Sequence, residues 1–192
     1  MMLRRTTKGD KLPSDWGFRL MALEFKLRDF FRPRKGILKE IGIKPGFWVL
    51  DYGCGPGSYV MAVAEMVGNT GKIYALDAHP LAIQMVQGIV SRKRLTNVET
   101  ILSDCRTGLT DNSLDAVLLY DILHDLSDPN CVLEELHRTL KPTGILSLSD
   151  HHLKENEIVS RVTNRGLFKL SGKGMNTLSF TKIELAVRTL PR

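Results

Sequence analysis

The spacing of hydrophobic residues along this chain changes character at the Pro45-Gly46 turn. Ahead of it, Trp16, Leu20, Leu23, Leu27 and Phe30 recur every three or four residues, one stripe of an amphipathic helix that Pro33 ends. A short helix through Ile37, Leu38 and Ile41 closes near Gly42. Residues 1–15 are polar, charged and aperiodic, and are expected to fray. Beyond the turn, short apolar runs alternate with helix-length stretches. Strands are predicted at Phe47–Tyr52, Lys72–Asp77, Val98–Ser103, Leu114–Tyr120 and Ile145–Ser149. Helices are predicted at Ser58–Val67, His79–Lys93 and Pro129–Leu140, the last followed by a Lys141–Gly144 turn. Strands that are apolar throughout and alternate with helices imply an α/β fold, a parallel sheet covered on both faces. The tail differs: after a helix at Glu155–Asn164, strands Gly166–Leu170 and Thr177–Thr181 flank a Gly172/Gly174 loop and form a terminal hairpin.

With 192 residues, 43% apolar and 25% charged, the chain has the balance of one soluble globular domain, which excludes a disordered or fibrous protein. No apolar run approaches the roughly 18–20 residues that span a bilayer. Met1-Met2-Leu3-Arg4-Arg5 leads into polar residues, not the apolar stretch of a secretory signal. Cys54, Cys105 and Cys131 form no CxxC or Cys/His cluster, and their odd number argues against a disulfide framework. Reduced thiols in a cytoplasmic protein are the expectation.

Locating the charge changes the picture. The net +6 is concentrated in residues 1–46, with twelve Lys/Arg against five Asp/Glu, while the remainder is near neutral. The chain therefore divides into a basic tail and amphipathic helix, residues 1–35, and a domain, residues 36–192. The basic part is either a solvated face or an attractor for an anionic substrate, nucleic acid or a membrane surface.

Asp51-Tyr52-Gly53-Cys54-Gly55-Pro56-Gly57 lies between the first strand and the next helix, at the carboxyl edge where open parallel sheets bind ligands. Glycines there let a ligand approach the main chain, though a glycine-rich turn that binds nothing has the same look. Four features favour a ligand. The spacing is GxGxG and not the GxGxxG suited to a dinucleotide pyrophosphate. Asp51, two positions before the first glycine, repels phosphate and attracts an ammonium. Asp77 closes the second strand, where a carboxylate accepts from both hydroxyls of a ribose. Asp104, after the third strand, suits an exocyclic adenine amine. An ammonium, a ribose and an adenine without phosphate describe S-adenosylmethionine, not NAD.

These residues carry a family resemblance. Val49-Leu50-Asp51-Tyr52-Gly53-Cys54-Gly55-Pro56-Gly57 resembles the first motif of the class I (Rossmann-like) S-adenosylmethionine-dependent methyltransferases. Leu76-Asp77, Ser103-Asp104, the Leu109–Val117 run and Leu136–Gly144 are similar to the family's later motifs, in order, and the resemblance spans about residues 36–184. It is closest to the small-molecule branch that includes the ubiquinone/menaquinone-biosynthesis type. The resemblance implies a doubly wound seven-stranded sheet ordered 3-2-1-4-5-7-6, with a terminal antiparallel hairpin and an N-terminal helical lid. It places S-adenosylmethionine against Asp51, Tyr52, Gly53, Cys54, Gly55 and Gly57, the ribose on Asp77 and Ala78, the adenine on Asp104 and the Cys105 backbone, and Tyr120 at the cofactor's edge.

Methyl transfer from an activated sulfonium needs alignment and exclusion of water, and a base only when the acceptor must lose a proton. His124 and His151 are the candidate catalytic groups, with His152 beside them, although each also reads as a loop residue without a role. His79 and His137 are expected on helices, at the surface or in packing. No metal-ligand cluster is expected. Tyr120-Asp121-Ile122-Leu123 departs from the Asn/Asp-Pro-Pro-aromatic sequence of adenine- and glutamine-methylating relatives, and the scattered cysteines weigh against an arsenic substrate. With barely one helix between Asp150 and the hairpin, Trp16–Phe31 is left to form the lid, or an ordinary core face. Arg28, Arg32, Arg34 and Lys35 beside it favour an anionic or membrane-resident small acceptor. The near-neutral domain weighs against nucleic acid as a partner. A methyltransferase on RNA or protein and a binding module without catalysis are the rival readings.

Overall fold

The structure is a computed structural model that describes residues 14–31 and 35–184; of the side chains at 26–31 and 35 it gives no description. Seven strands make one sheet: β1 (Trp48–Tyr52), β2 (Lys72–Asp77), β3 (Val98–Leu102), β4 (Leu114–Tyr120), β5 (Leu140–Ser149), β6 (Phe168–Lys173) and β7 (Leu178–Lys182). Their order is β3-β2-β1-β4-β5-β7-β6. The first five are parallel; β7 runs antiparallel to β5, and β6 antiparallel to β7. The helices are α1 (Asp15–Phe31), α2 (Lys35–Ile41), α3 (Val60–Val67), α4 (Pro80–Lys93), α5 (Pro129–Thr139) and α6 (Glu155–Thr163). The doubly wound α/β arrangement, its strand order and its terminal hairpin are those that the family resemblance implies.

Continuous apolar strands arise because both faces of the sheet are buried. Successive side chains alternate between the faces. Val49 packs with Val60, Val63 and Val86 under α3 and α4, while Leu50 and Tyr52 join Leu133, Leu136 and Ile158 under α5 and α6. Helix starts follow local chemistry. His79 and Asp128 cap α4 and α5, each accepting from a backbone N–H two or three residues on, with Pro80 and Pro129 in the first helical position where their missing N–H costs nothing.

Three expectations are corrected. Lys141–Gly144 is not a free turn: β5 begins at Leu140, opposite Leu114, and the segment is a register irregularity inside the strand. The Lys141 ammonium pins it by donating to Asp115 Oδ1 at 2.6 Å. Cys105 and Cys131 are not reduced thiols but form a disulfide across 26 residues of sequence, leaving Cys54 free and buried. Linear spacing gives no sign of this, because β4 and its flanking loops bring the two together. The compartment inference drawn from unpaired thiols loses its support; what holds is that no helix among the described residues is long and apolar enough to cross a membrane.

The third correction concerns α1. Of the expected stripe, Trp16 is 77% exposed and Leu20 and Leu23 are each 55% exposed. The buried row is Phe18 and Ala22, with Met21 and Phe25 half-buried beside it. Both rows have helical spacing, so periodicity alone could not say which faced the sheet. Leu27 and Phe30 belong to the side chains not described.

Candidate functional site

At the carboxyl ends of β1 and β4, neighbours in the sheet whose following helices lie on opposite faces, a cleft of about 470 Å³ opens. That volume lies within the range of small-molecule and cofactor sites, and the position is the switch point where open α/β sheets bind ligands.

The floor is the turn after β1. Gly53 N and Cys54 N both donate to Leu76 O, at 2.8 and 2.9 Å, and Gly55 N donates to Asp77 Oδ2 at 2.9 Å. Gly53 has φ +76°, and a Cβ there would meet Ile122 Cγ1 at 2.8 Å, so conformation and space both require glycine. Gly57 also has positive φ, but it faces Ile89 and Val86 of α4 and not the cleft.

Asp51, at the bottom of the cleft, is 2% exposed, and its Oδ2 has no hydrogen-bond partner. Burial, with the nearby Asp77 charge adding to it, pushes its carboxyl from 3.8 up to about 7. Ser58 Oγ, also in the cleft wall, is likewise buried without a partner. Two orphaned polar atoms in one wall mark a place prepared for a ligand, since such groups otherwise cost stability. Burial raises the Asp77 carboxyl too, offset in part by the N–H groups it receives from His79 (2.8 Å, at Oδ1) and Gly55.

The far wall holds Ser103 and exposed Asp104. Tyr52 OH donates to Asp104 O at 2.8 Å and holds this segment to β1. Cys105 does not line the cleft; its sulfur is committed to Cys131, and its N–H donates to Ser103 Oγ at 3.3 Å. The same loop is tied to α5 a second time, because Glu135 Oε1 accepts from Thr107 N and Oγ1 at 2.8 and 2.6 Å. Tyr120 is buried at the end of β4, its hydroxyl 2.8 Å from Ser147 Oγ and its ring edge-on to Tyr59. Burial raises both the Tyr52 and Tyr120 phenols and the Cys54 thiol.

The cleft thus brings together Asp51, Tyr52, Gly53, Cys54, Gly55, Asp77, Ala78, Asp104 and Tyr120, and leaves out Gly57 and Cys105. His124 and His151 are near but do not line it. His124 Nδ1 donates to Asp150 Oδ2 at 2.9 Å, and His151 Nδ1 donates to Asp121 Oδ1 at 2.6 Å. His152 lies between them, its ring centroid 4.2 Å from that of His124 and 4.0 Å from that of His151. His137 is a packing residue, its Nε2 2.8 Å from Ile183 O and its ring edge-on to Phe168.

Several lining residues escape the sequence reading. Ser58 and Tyr59 follow the glycine turn directly, a signal of position only. His79, expected as a surface or packing residue on a helix, instead caps α4 from outside, is 4% exposed and lines the cleft. Phe18 stacks on it at 4.4 Å, and with Met21 and Phe25 forms the roof from α1. Asp121, Ile122 and Asp125 complete the end beyond β4. Among the described residues, no group of side chains has the makings of a metal site.

Comparison with known proteins agrees with this geometry. The profile of a family described as a methyltransferase domain matches residues 43–177. A demethylmenaquinone methyltransferase of Geobacillus stearothermophilus is 34% identical over 113 residues, 58% of this chain and 48% of that protein. One of Staphylococcus aureus is 30% identical over 114 residues, 59% of this chain and 46% of that protein, so the chain spans about half the length of the curated relatives it matches. A SAM-dependent methyltransferase structure from Aquifex aeolicus superposes with a TM-score of 0.70 at 27% identity, covering 84% of this chain and 97% of that one. A structure from Methanococcus maripaludis, at 16% identity, shares the fold with a TM-score of 0.75 over 95% of this chain and 100% of its own. The donor set suits S-adenosylmethionine: a buried carboxylate with an unpartnered oxygen for a cation, a glycine cradle for close approach, and a second carboxylate at the next strand end. The chain belongs to the class I S-adenosylmethionine-dependent methyltransferase family.

Proposed function

We propose that this chain transfers a methyl group from S-adenosylmethionine to a small, largely apolar acceptor that enters beneath α1. The observation that carries the reading is the pair of orphaned buried atoms, Asp51 Oδ2 and Ser58 Oγ, beside a glycine turn at the bottom of a roofed cleft. Asp51 receives the ligand ammonium, Asp77 the ribose hydroxyls, and Ser103 with Asp104 the adenine edge. Tyr120 shapes the wall behind them. Gly57 serves by packing the turn on α4, and Cys105 by fixing the loop that carries Asp104. The amphipathic helix α1 acts as a lid on the domain that follows it.

Bound in this cleft, S-adenosylmethionine supplies a methyl group already activated by a positive sulfur, so the protein's part is alignment and exclusion of water. Phe18, Met21 and Phe25 roof the cleft with apolar surface and, with Tyr59, Ile122 and Leu126, favour an acceptor of the same character. The relatives named for demethylmenaquinone suggest that class of acceptor for this chain as well. His124 and His151 act from behind the wall, through carboxylates that do line it. The proposed anionic preference rested on Arg28, Arg32, Arg34 and Lys35, whose side chains are among those not described.

The test is transfer of labelled methyl from S-adenosylmethionine in the presence of small aromatic acceptors, total RNA or a protein extract. Label recovered in organic-extractable small molecules supports the proposal. Label confined to RNA or protein refutes the acceptor class, and tight cofactor binding with no transfer to any of them makes the chain a binding module.

A further inference from the structure

The cleft is lined by five aspartates, Asp51, Asp77, Asp104, Asp121 and Asp125, and among the described residues by no lysine or arginine. The first three stand around the turn and strand ends assigned above to the cofactor. Asp121 and Asp125 do not: they follow β4, at the end of the cleft where Ile122, Leu126 and Ser127 continue the wall. Each of these two carboxylates is backed by a histidine from outside the cleft. His151 Nδ1 donates to Asp121 Oδ1 at 2.6 Å, and His124 Nε2 stands 3.4 Å from Asp125 Oδ2. His124 is in turn fixed by Asp150, whose fully buried carboxylate accepts from both its ring Nδ1 and its backbone N–H, at 2.9 and 3.1 Å. The three imidazoles pack in a row, so the two carboxylates share one support.

From this arrangement we infer that Asp121 and Asp125 form the acceptor's polar subsite and select a neutral or cationic acceptor that presents an O–H or N–H group, against anionic acceptors of the same size. The inference rests on the reading of the cleft as a cofactor-plus-acceptor site and specifies the acceptor end. A carboxylate accepts hydrogen bonds and offers none. Asp121, its side chain 22% exposed, acts from the partly enclosed end of the cleft, where its charge is felt more strongly than in open water, and Asp125, 70% exposed, adds to it from the mouth; together they repel an anion and hold an ammonium or hydroxyl by charge-assisted hydrogen bonds. Asp121 and Asp125 are the groups that touch the acceptor. His124, His151 and Asp150 are positioning residues, which keep those carboxylates aimed and provide a place next to Asp125 for a proton the acceptor gives up. Asp121 takes its place through the backbone: it sits at φ +53°, a conformation that aspartate tolerates better than most residues, with its N–H donating to Ser149 O at 2.7 Å.

The test uses the full chain saturated with S-adenosylmethionine and three probes of similar size, phenethylamine, phenol and benzoate, with affinities measured by ligand-observed NMR and calorimetry. Phenethylamine and phenol are expected to bind at least about tenfold more tightly than benzoate, the factor that about 1.4 kcal/mol gives. In Asp121→Asn/Asp125→Asn the preference should fall below about threefold while affinity for S-adenosylmethionine changes by less than that. His124→Ala should weaken the preference and His124→Gln, which keeps a polar amide near the Nε2 position, should restore part of it; a merely structural histidine would shift the melting temperature and leave the preference alone. Benzoate binding as tightly as the others, no probe binding, or a preference that survives the double substitution overturns the inference. Failure of the wild-type chain to bind S-adenosylmethionine overturns the reading of the cleft itself, which the cofactor titration alone reports.

Discussion

Replacing Asp51 with asparagine separates what this carboxylate costs the fold from what it gives to binding. Asp51 is 2% exposed with an unpartnered Oδ2, and burial together with the Asp77 charge raises its carboxyl from 3.8 to about 7. Raising the carboxyl that far corresponds to about 4 kcal/mol of destabilisation once the group is fully ionised. The asparagine amide is itself buried, which reclaims part of this, so a net gain of about 1–3 kcal/mol at pH 8 is expected for the ligand-free protein. For a chain of this size that raises Tm by roughly 2–10 °C. The sign follows from proton counts. Between about pH 4 and 7 the folded protein holds a proton on Asp51 that the unfolded chain has released, so wild-type stability falls as pH rises through that window. The asparagine chain lacks this slope, and its advantage should grow between pH 5 and 8. Affinity moves the other way: losing a charge-assisted contact to an ammonium costs about 2 kcal/mol, roughly thirtyfold in Kd. Calorimetric melts of both chains across the pH range, with S-adenosylmethionine titrations at pH 8, give the answer. An asparagine chain that melts lower at pH 8, or binds as tightly as wild type, would falsify the reasoning.

Other outcomes follow from the same geometry. Reduction of Cys105–Cys131, or the double serine substitution, frees a loop closed across 26 residues and should cost about 3.5 kcal/mol; a thermal melt unchanged by dithiothreitol would count against the bond. Gly53→Ala forces a Cβ into positive φ and against Ile122, with an expected loss of about 2 kcal/mol, part of which Ile122→Ala should recover in denaturant unfolding. Burial pushes the Glu135 carboxyl up, but hydrogen bonds from Arg138 and Thr107 outweigh it and bring it down from 4.5 to about 2. Its stabilising contribution is therefore complete above about pH 4.5 and disappears as pH falls toward 2. Glu135→Gln should cost about 1–3 kcal/mol at pH 7 and remove that acid limb, as read by urea unfolding from pH 7 to 3.

The sequence alone determined the succession of elements and the floor of the cleft. Both are local: a buried parallel strand must be apolar along its buried length, as Val49-Leu50 and Ala116–Leu119 are, and a tight turn at positive φ favours glycine, as at Gly53 and Gly55. The carboxylates at Asp51 and Asp77 were legible because strand ends in such a sheet share one edge. Only the tertiary structure decided which side of α1 faces inward, because Trp16/Leu20/Leu23 and Phe18/Met21/Phe25 obey the same helical period. It alone joined Cys105 to Cys131, brought His79 into the wall by its stacking under Phe18, and set His124 and His151 behind Asp125 and Asp121 instead of in the cleft. Those outcomes depend on contacts between residues far apart in sequence, and a residue's type and neighbours along the chain carry no record of what folding places across from it.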